Sequence, residues 1–280
     1  MRIKSVIVNC SDILKLKTIF EAIKLIIMKH FSVLLMTMFV SSIALAQDVV
    51  PEVRTTPVKK WYMMNSGELI FSAGELKVSD RNVYTLNSVS SFSSPQNVVR
   101  FSGFFHTSQE FHYNFSNAVG FYIGIAVRNV GFINHFKVEG EQLKLKQRSY
   151  ALGIPLALKV GNMQNYYLNI GVEPELMFAY KRKVFYDGEK SKKSEWFSDD
   201  VNLFNPSVFA QLNFKGGFYL RAKYYLNDFL ANDFEEFSIP GKTMSVKYKV
   251  DESTLFYISL GTTIKNRKVN KGSAVKTMST

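Results

Sequence analysis

The stretch LNIGVEPELMFAY (168–180) places Leu168, Ile170, Val172, Leu176 and Phe178 on one face of an extended chain. Asn169, Gly171, Glu173, Glu175 and Ala179 fall on the other. Period-two alternation of this kind describes a strand lying between two different surroundings. In a soluble protein the apolar face is buried and the glutamates meet water. In a membrane barrel the apolar face meets lipid and the glutamates point into the lumen.

The pattern recurs in eight extended segments, near 66–75, 97–106, 118–131, 146–160, 165–181, 203–214, 217–230 and 253–265. The connections between them alternate in length. Those at 76–96, 132–145, 182–202 and 231–252 are long; 107–117 is shorter, and 161–164 and Lys215-Gly216-Gly217 are tight. Long external loops and short periplasmic turns are the pattern of outer-membrane barrels. The expected fold class is all-β: an eight-stranded antiparallel transmembrane β-barrel, an up-and-down meander over residues 61–265.

The N-terminus points the same way. MKHFSVLLMTMFVSSIALA (28–46) has a basic start, an apolar run and the small-x-small ending Ala44-Leu45-Ala46. This reads as an export signal cleaved near Ala46-Gln47, and its apolar run is shorter than the roughly 20 residues a spanning helix needs. Residues 1–27 then read as an upstream extension of a true start at Met28. Residues 47–60 read as a periplasmic lead-in and 266–280 as a basic tail. The single cysteine, Cys10, lies upstream of the signal, so the mature chain is expected to hold no disulfide and no cysteine metal site. No segment after the signal reaches 18 consecutive apolar residues, which excludes a transmembrane helix there.

If the barrel spans a membrane, its charges fix which face is inside. YALGIPLALKV (150–160) sets Tyr150, Leu152, Ile154, Leu156 and Leu158 against Ala151, Gly153, Pro155, Ala157 and Lys159. FYLRAKYYL (218–226) sets Phe218, Leu220, Ala222, Tyr224 and Leu226 against Tyr219, Arg221, Lys223 and Tyr225. The polar faces combine small residues with a few charges, as the side-chain-filled interior of an eight-stranded barrel requires. The lumen set is Glu68, Glu173 and Glu175 against Arg100, Arg128, Arg221 and Lys223. Turned toward lipid, each of these cations costs about 2–4 kcal/mol at mid-membrane; turned inward, they pair with the acids. An exported soluble lipocalin-like barrel is the opposite solution, with the apolar face inside. Aromatics near strand ends, such as Tyr166, Phe214, Phe218 and Phe229, favour the membrane solution as interfacial girdles.

The chain carries 35 Lys+Arg against 23 Asp+Glu, a net charge of +12. No nucleic-acid motif accompanies that charge, so nucleic acid is not an expected partner. Basic loops suit acidic lipid headgroups instead. In KRKVFYDGEKSKKSEW (181–196), Lys181, Arg182, Lys183, Lys190, Lys192 and Lys193 are the candidate contacts to lipopolysaccharide phosphates.

VVRFSGFFHTSQEFHYNFSNAVGFYIGIAVRNVGFI (98–133), RSYALGIPLALKVGN (148–162), EWFSDDVNLFNPSVFAQLNF (195–214) and LRAKYYLNDFL (220–230) resemble small outer-membrane β-barrel proteins of the Bacteroidetes type, porin-superfamily-like and PorT-like. The resemblance implies a barrel of this kind, some of whose relatives serve in protein secretion. One departure is the basic tail NRKVNKGSAVKTMST after Ile264-Lys265, where many such proteins end on an aromatic residue.

Chemistry is sparse. His106-Thr107-Ser108 has the His-x-Ser spacing of barrel-embedded lipid A deacylases, at a strand end with no evident acid to orient the histidine. His112 and His135 read as interfacial or loop residues, and neither an HExxH pair nor a phosphate-binding Gly-rich loop is present. The expectation is a non-enzymatic, monomeric protein without cofactor or metal, in the outer membrane of a Gram-negative bacterium. Its partners would be outer-membrane lipid, lipopolysaccharide, and envelope or secretion proteins. Its role would be structural, adhesive or secretion-supporting through external loops, with the lumen plugged by charged side chains. The alternatives are a narrow channel for small solutes, a barrel-embedded lipid hydrolase, and a soluble binding barrel.

Overall fold

The structure, a computed structural model, describes residues 60–265. The expectations for the upstream extension, the signal, the lead-in up to residue 59 and the basic tail lie outside the described residues.

Every element in the described residues is extended, and the strands form eight staves. The first is β1 (Trp61–Tyr84), followed in its connection by the short β2 (Val89–Ser91) and β3 (Gln96–Val98). The second is built from β4 (Arg100–Ser102) and β5 (Thr107–Asn114), and the third is β6 (Val119–Val138). The fourth is β7 (Glu141–Gly153) with β8 (Leu156–Gly161), and the fifth is β9 (Tyr167–Glu173) with β10 (Glu175–Tyr186). The sixth joins β11 (Glu189–Trp196) and β12 (Ser207–Asn213); the seventh is β13 (Phe218–Tyr225). After β14 (Phe234–Ser238), in the last connection, β15 (Ser245–Lys265) closes the ring on β1, from Met64↔Lys265 to Tyr84↔Ser245.

All neighbouring staves pair antiparallel in chain order, so the fold is the expected eight-stranded up-and-down barrel. The breaks inside the fourth and fifth staves fall at prolines, which cannot donate to a ladder. Their carbonyls carry the pairing through: Gly124 N–H donates to Pro155 O, and Ile154 N–H donates to Pro174 O, both at 3.0 Å.

The chemistry of the two faces reverses along the staves. In the lower half, next to the short turns, the outward residues are apolar and half exposed, such as Leu69, Ile125, Leu158, Ile170 and Leu260. The inward ones are polar and buried. On β1 this outer band runs from Trp61 to Ala73; at about 3.3 Å per residue and a tilt of about 40° it is roughly 30 Å tall, the thickness of a bilayer's hydrocarbon core.

Above that level the chemistry is inverted; the alternation runs through without a slip on β6 and β7, and shifts by one residue at bulges on β1 (Lys77/Val78), on the facing stretch of β15, and on β10 (Met177/Ala179). On β7, Lys144, Lys146 and Arg148 alternate with the buried Leu143, Leu145 and Gln147. A continuous apolar core fills the upper barrel, including Phe92, Phe132, Phe136, Val184, Phe229, Phe237 and Tyr248. Its aromatic rings pack edge to face, with Phe92–Phe136 and Phe132–Phe229 centroids both 5.3 Å apart.

The boundary between the two regimes carries an aromatic row on one side of the barrel. Phe105 meets Tyr150 at 6.1 Å, Tyr150 meets Phe178 at 6.2 Å, and Phe178 stacks on Trp196 at 5.8 Å. At the lower rim Tyr166 packs on Phe214 at 6.0 Å. Such rings belong at the two interfaces of a bilayer. Phe229, expected among them, is instead wholly buried in the upper core.

Three expectations need correction. First, the long connections at 132–145 and 182–202 are largely strand. β6 runs into β7 through Glu139-Gly140, and β10 into β11 through Asp187-Gly188, with φ of 49°, 88°, 48° and 77°. Positive φ at both central residues defines the type I′ hairpin, whose twist matches the strands it joins. Second, the connections at 76–96 and 231–252 are likewise part strand, through β1, β14 and β15. Third, the second stave, expected at 97–106, has its long strand at Thr107–Asn114, inside the connection expected at 107–117. The phase slips between β4 and β5, where Phe105 takes a φ of 62°.

Candidate functional site: a charged lumen and a basic outer face

The inward positions of the lower half bring one charge network together. Arg128, at the upper end of the apolar band on β6, donates through Nε to Glu68 Oε1 at 2.5 Å and through Nη1 to Glu173. Lys223 Nζ lies 2.8 Å from Glu173 Oε2 and also bonds Glu175. Arg221 donates through Nε to Gln211 Oε1 at 2.8 Å and faces Glu68 at 3.5 Å. Ser259 Oγ donates to the second oxygen of Glu68 at 2.6 Å. These side chains have almost no exposure. Interdigitated charges of opposite sign are what make so many buried ions tolerable. Small inward residues make the room: a Cβ at Gly153 would collide with the Glu173 carboxylate, and one at Gly261 with the Tyr219 ring.

Six of the seven residues expected in this network stand there. Arg100 does not. It is buried, but its guanidinium donates to Asn129 O at 3.0 Å and to Asn129 Oδ1 at 2.7 Å, and it ion-pairs with no acid among the described residues. The reason is the interruption between β4 and β5. There the β6 edge facing the second stave lacks a strand partner between Val127 and Ile133, and side chains bond its backbone instead: His106 Nδ1 accepts from Asn129 N–H at 3.2 Å while Arg100 donates to the carbonyl.

Three further lumen groups stand beside the expected seven. Glu110 and His112 project inward from β5, 3.0 Å apart, with His112 stacked between Tyr62 and Tyr122 at 4.9 Å from each ring. Lys159 donates to Tyr62 Oη at 2.6 Å and Asn114 Oδ1 at 2.7 Å, with the Tyr62 and Tyr167 rings close by. The phase of YALGIPLALKV had put Lys159 on the inner face; for Glu110 and His112 the misplaced strand hid the signal.

The His-x-Ser pair does not assemble. His106 is held by Ser102 and Asn129, with Nε2 2.8 Å from Ser102 Oγ. Ser108 Oγ instead lies 2.5 Å from Ser66 Oγ and donates to Glu110 Oε1 at 2.7 Å.

The basic segment divides by strand phase. Lys181 and Lys183 face outward on β10, and Lys190 and Lys192 lie beside them on β11. Arg182 turns inward and donates to Glu235 Oε2 at 2.7 Å and Glu236 O at 3.2 Å. Lys193 pairs with Asp200 at 2.8 Å and Glu195 at 3.1 Å. Those two residues are therefore not open contacts.

The Arg182–Glu235 pair ties β14 to the upper barrel. Burial outweighs the neighbouring arginine and pushes the Glu235 carboxyl up to about 7. The native state then holds a proton that the unfolded chain releases near pH 4–5. Stability from this group is full below that range and is lost as pH rises through about 7. Amide exchange in Phe234–Ser238 should accelerate between pH 5 and 8 beyond the intrinsic chemical rate, and Glu235→Gln should remove the excess. An excess unchanged by Glu235→Gln would assign it to another group.

No family model matches the chain, and no curated protein does. Among solved structures it is similar to Ail, the attachment invasion locus protein of Yersinia pestis, at 12% identity and a TM-score of 0.27 over 71% of this chain and 98% of that one. The outer membrane protein OprG from Pseudomonas aeruginosa gives 9% identity and 0.34 over 73% and 96%. Neisserial surface protein A gives 12% and 0.29 over 72% and 99%. At these scores the likenesses carry no argument about what this chain does.

Proposed function

We propose that the chain is an outer-membrane barrel, sealed along its axis, that works through the β-structure it raises above the outer leaflet. The observation that carries this is the reversal of face chemistry along single strands, without a slip on β6 and β7 and across a bulge on β1 and β15. A bilayer ending partway up β1, β6 and β15 accounts for an apolar exterior below and a charged one above. The raised end is the external one, because the opposite end has only short turns. A soluble lipocalin-like barrel would have to leave the lower apolar face in water. A channel is disfavoured because ion pairs occupy the lower lumen and an apolar core the upper one. A hydrolase is disfavoured because His106 and Ser108 are engaged apart. What remains is a structural, adhesive or secretion-supporting role, exercised by the external surface.

Single cysteines test the reading, since the only native cysteine lies at position 10. A membrane-impermeant maleimide should label Lys192→Cys and Asn232→Cys on intact cells, and Lys215→Cys only after the outer membrane is opened. The protein should run as a heat-shifted band in the outer-membrane fraction. Recovery in the soluble periplasm without a shift would sink the proposal.

A further inference from the structure

We propose that the outer face where β4, β6, β7 and β10 meet is a binding site for a lipid of the outer leaflet that bears two phosphates. Lys146, Arg148, Lys181 and Lys183 would hold the phosphates, and Phe104 and Phe105 the acyl chains. The inference rests on the membrane orientation proposed above.

The strand register builds the cation cluster. Lys146 stands directly opposite Lys183, and Arg148 directly opposite Lys181. On its other side Lys183 faces Lys192. Like charges directly opposite each other on one sheet face are destabilising, and none of the four ion-pairs with an acid among the described residues. Partial burial, and then the neighbouring cations, hold Lys146, Lys181 and Lys183 below the ordinary lysine value. A sheet that keeps this arrangement at some cost is set up for an anion. Each phosphate monoester brings about −1.5 to −2 charge near neutral pH, so two of them balance four cations.

The shape adds a second observation. These cations share a cavity of about 430 Å³ with Arg100, Phe104 and Phe105. Phe105 adopts a φ of 62°, a left-handed conformation that bulky side chains avoid. Both rings turn to the surface, 77% exposed at Phe104 and 71% at Phe105. Apolar groups held out below a cationic cluster do not suit a free anion in water. They suit an amphiphile whose head lies above its chains. Depth agrees, since Tyr150 and Phe178 of the aromatic row sit directly below Arg148 and Lys181. The cations therefore lie at headgroup level.

The test is native mass spectrometry of the full chain in detergent with three probes: lipid A carrying both phosphates, the same lipid with its phosphates removed, and inorganic phosphate. We expect retention of the first, with binding weaker by about tenfold or more when the phosphates are removed or when two charged contacts are lost in Lys146→Gln/Lys183→Gln. Phe105→Ser should also weaken it, and Lys249→Gln, elsewhere on the outer face, should not. Equal retention of the dephosphorylated lipid, indifference to Lys146→Gln/Lys183→Gln, or full competition by millimolar inorganic phosphate would overturn the proposal. A heat-shifted band measured on the same samples separates the two claims. Present without lipid selectivity, it leaves the barrel reading standing and removes this one; absent in the wild type, it removes the barrel reading itself.

Discussion

Arg128→Met should lower the unfolding free energy by about 3–5 kcal/mol, the usual consequence of removing one partner from a buried ion pair. Arg128 bonds both Glu68 and Glu173 and lies 3.8 Å from Glu175. Its loss leaves three carboxylates, Glu68, Glu173 and Glu175, with Arg221 and Lys223 to neutralise them. That penalty is comparable to the whole stability of an ordinary domain at the lower end of its range, about 5 kcal/mol. Urea titration in detergent micelles, followed by tryptophan fluorescence and by loss of the heat-shifted band, would measure it. Adding Glu173→Gln should recover part of the loss, because the uncompensated charge is then reduced. A near-neutral Arg128→Met would mean that water, and not the network, stabilises these carboxylates.

The second large effect concerns the outer face. Leu260 lies on β15 opposite Leu69 of β1 on one side and Leu220 of β13 on the other, all three turned outward near the middle of the apolar band. Leu260→Arg should cost about 2–4 kcal/mol in a bilayer, the range for a cation at mid-membrane. On the same strand, Lys249→Leu lies above the boundary and should stay within about 0.5 kcal/mol of the wild type, as surface changes usually do. Reversible unfolding from lipid vesicles distinguishes them. Equal effects at the two positions would contradict the reversal of environment along β15.

Much of the lower barrel was legible in the sequence. FYLRAKYYL and YALGIPLALKV alternate without a slip, and a strand buried on one face cannot shift by one residue without exchanging its faces. The upper barrel was not legible, although it keeps the same period. In KVEGEQLKLKQR the alternation continues as Leu143 and Leu145 against Lys144 and Lys146, but the partition of polar and apolar has changed sides. Read by composition, that stretch looks like a charged loop. Asp187-Gly188 was the available clue, being the dipeptide that type I′ hairpins favour. At β5 the difficulty was different. TSQEFHYN carries polar residues on both faces, so no alternation marked it as a strand. The site was divided in the same way. The lumen charges lie on strands of clear phase, but Arg100 lies on an interrupted one, and phase alone could not show that its partner is the backbone of Asn129.

The reversal of the two faces also bears on how the molecule comes to lie where it does. The row of lysines and arginines outside the upper barrel cannot slide through hydrocarbon, at about 2–4 kcal/mol for each cation at the midplane. In the orientation proposed above, that cost opposes passage of a closed barrel and favours delivery of the upper barrel across the bilayer while the wall is still open. Closing β15 on β1 then locks the molecule at one depth. Assembly on this view works as a ratchet: the basic row is carried through once, and the same row afterwards prevents retreat. Resistance to extraction would then reflect the height of a barrier as much as the depth of a well.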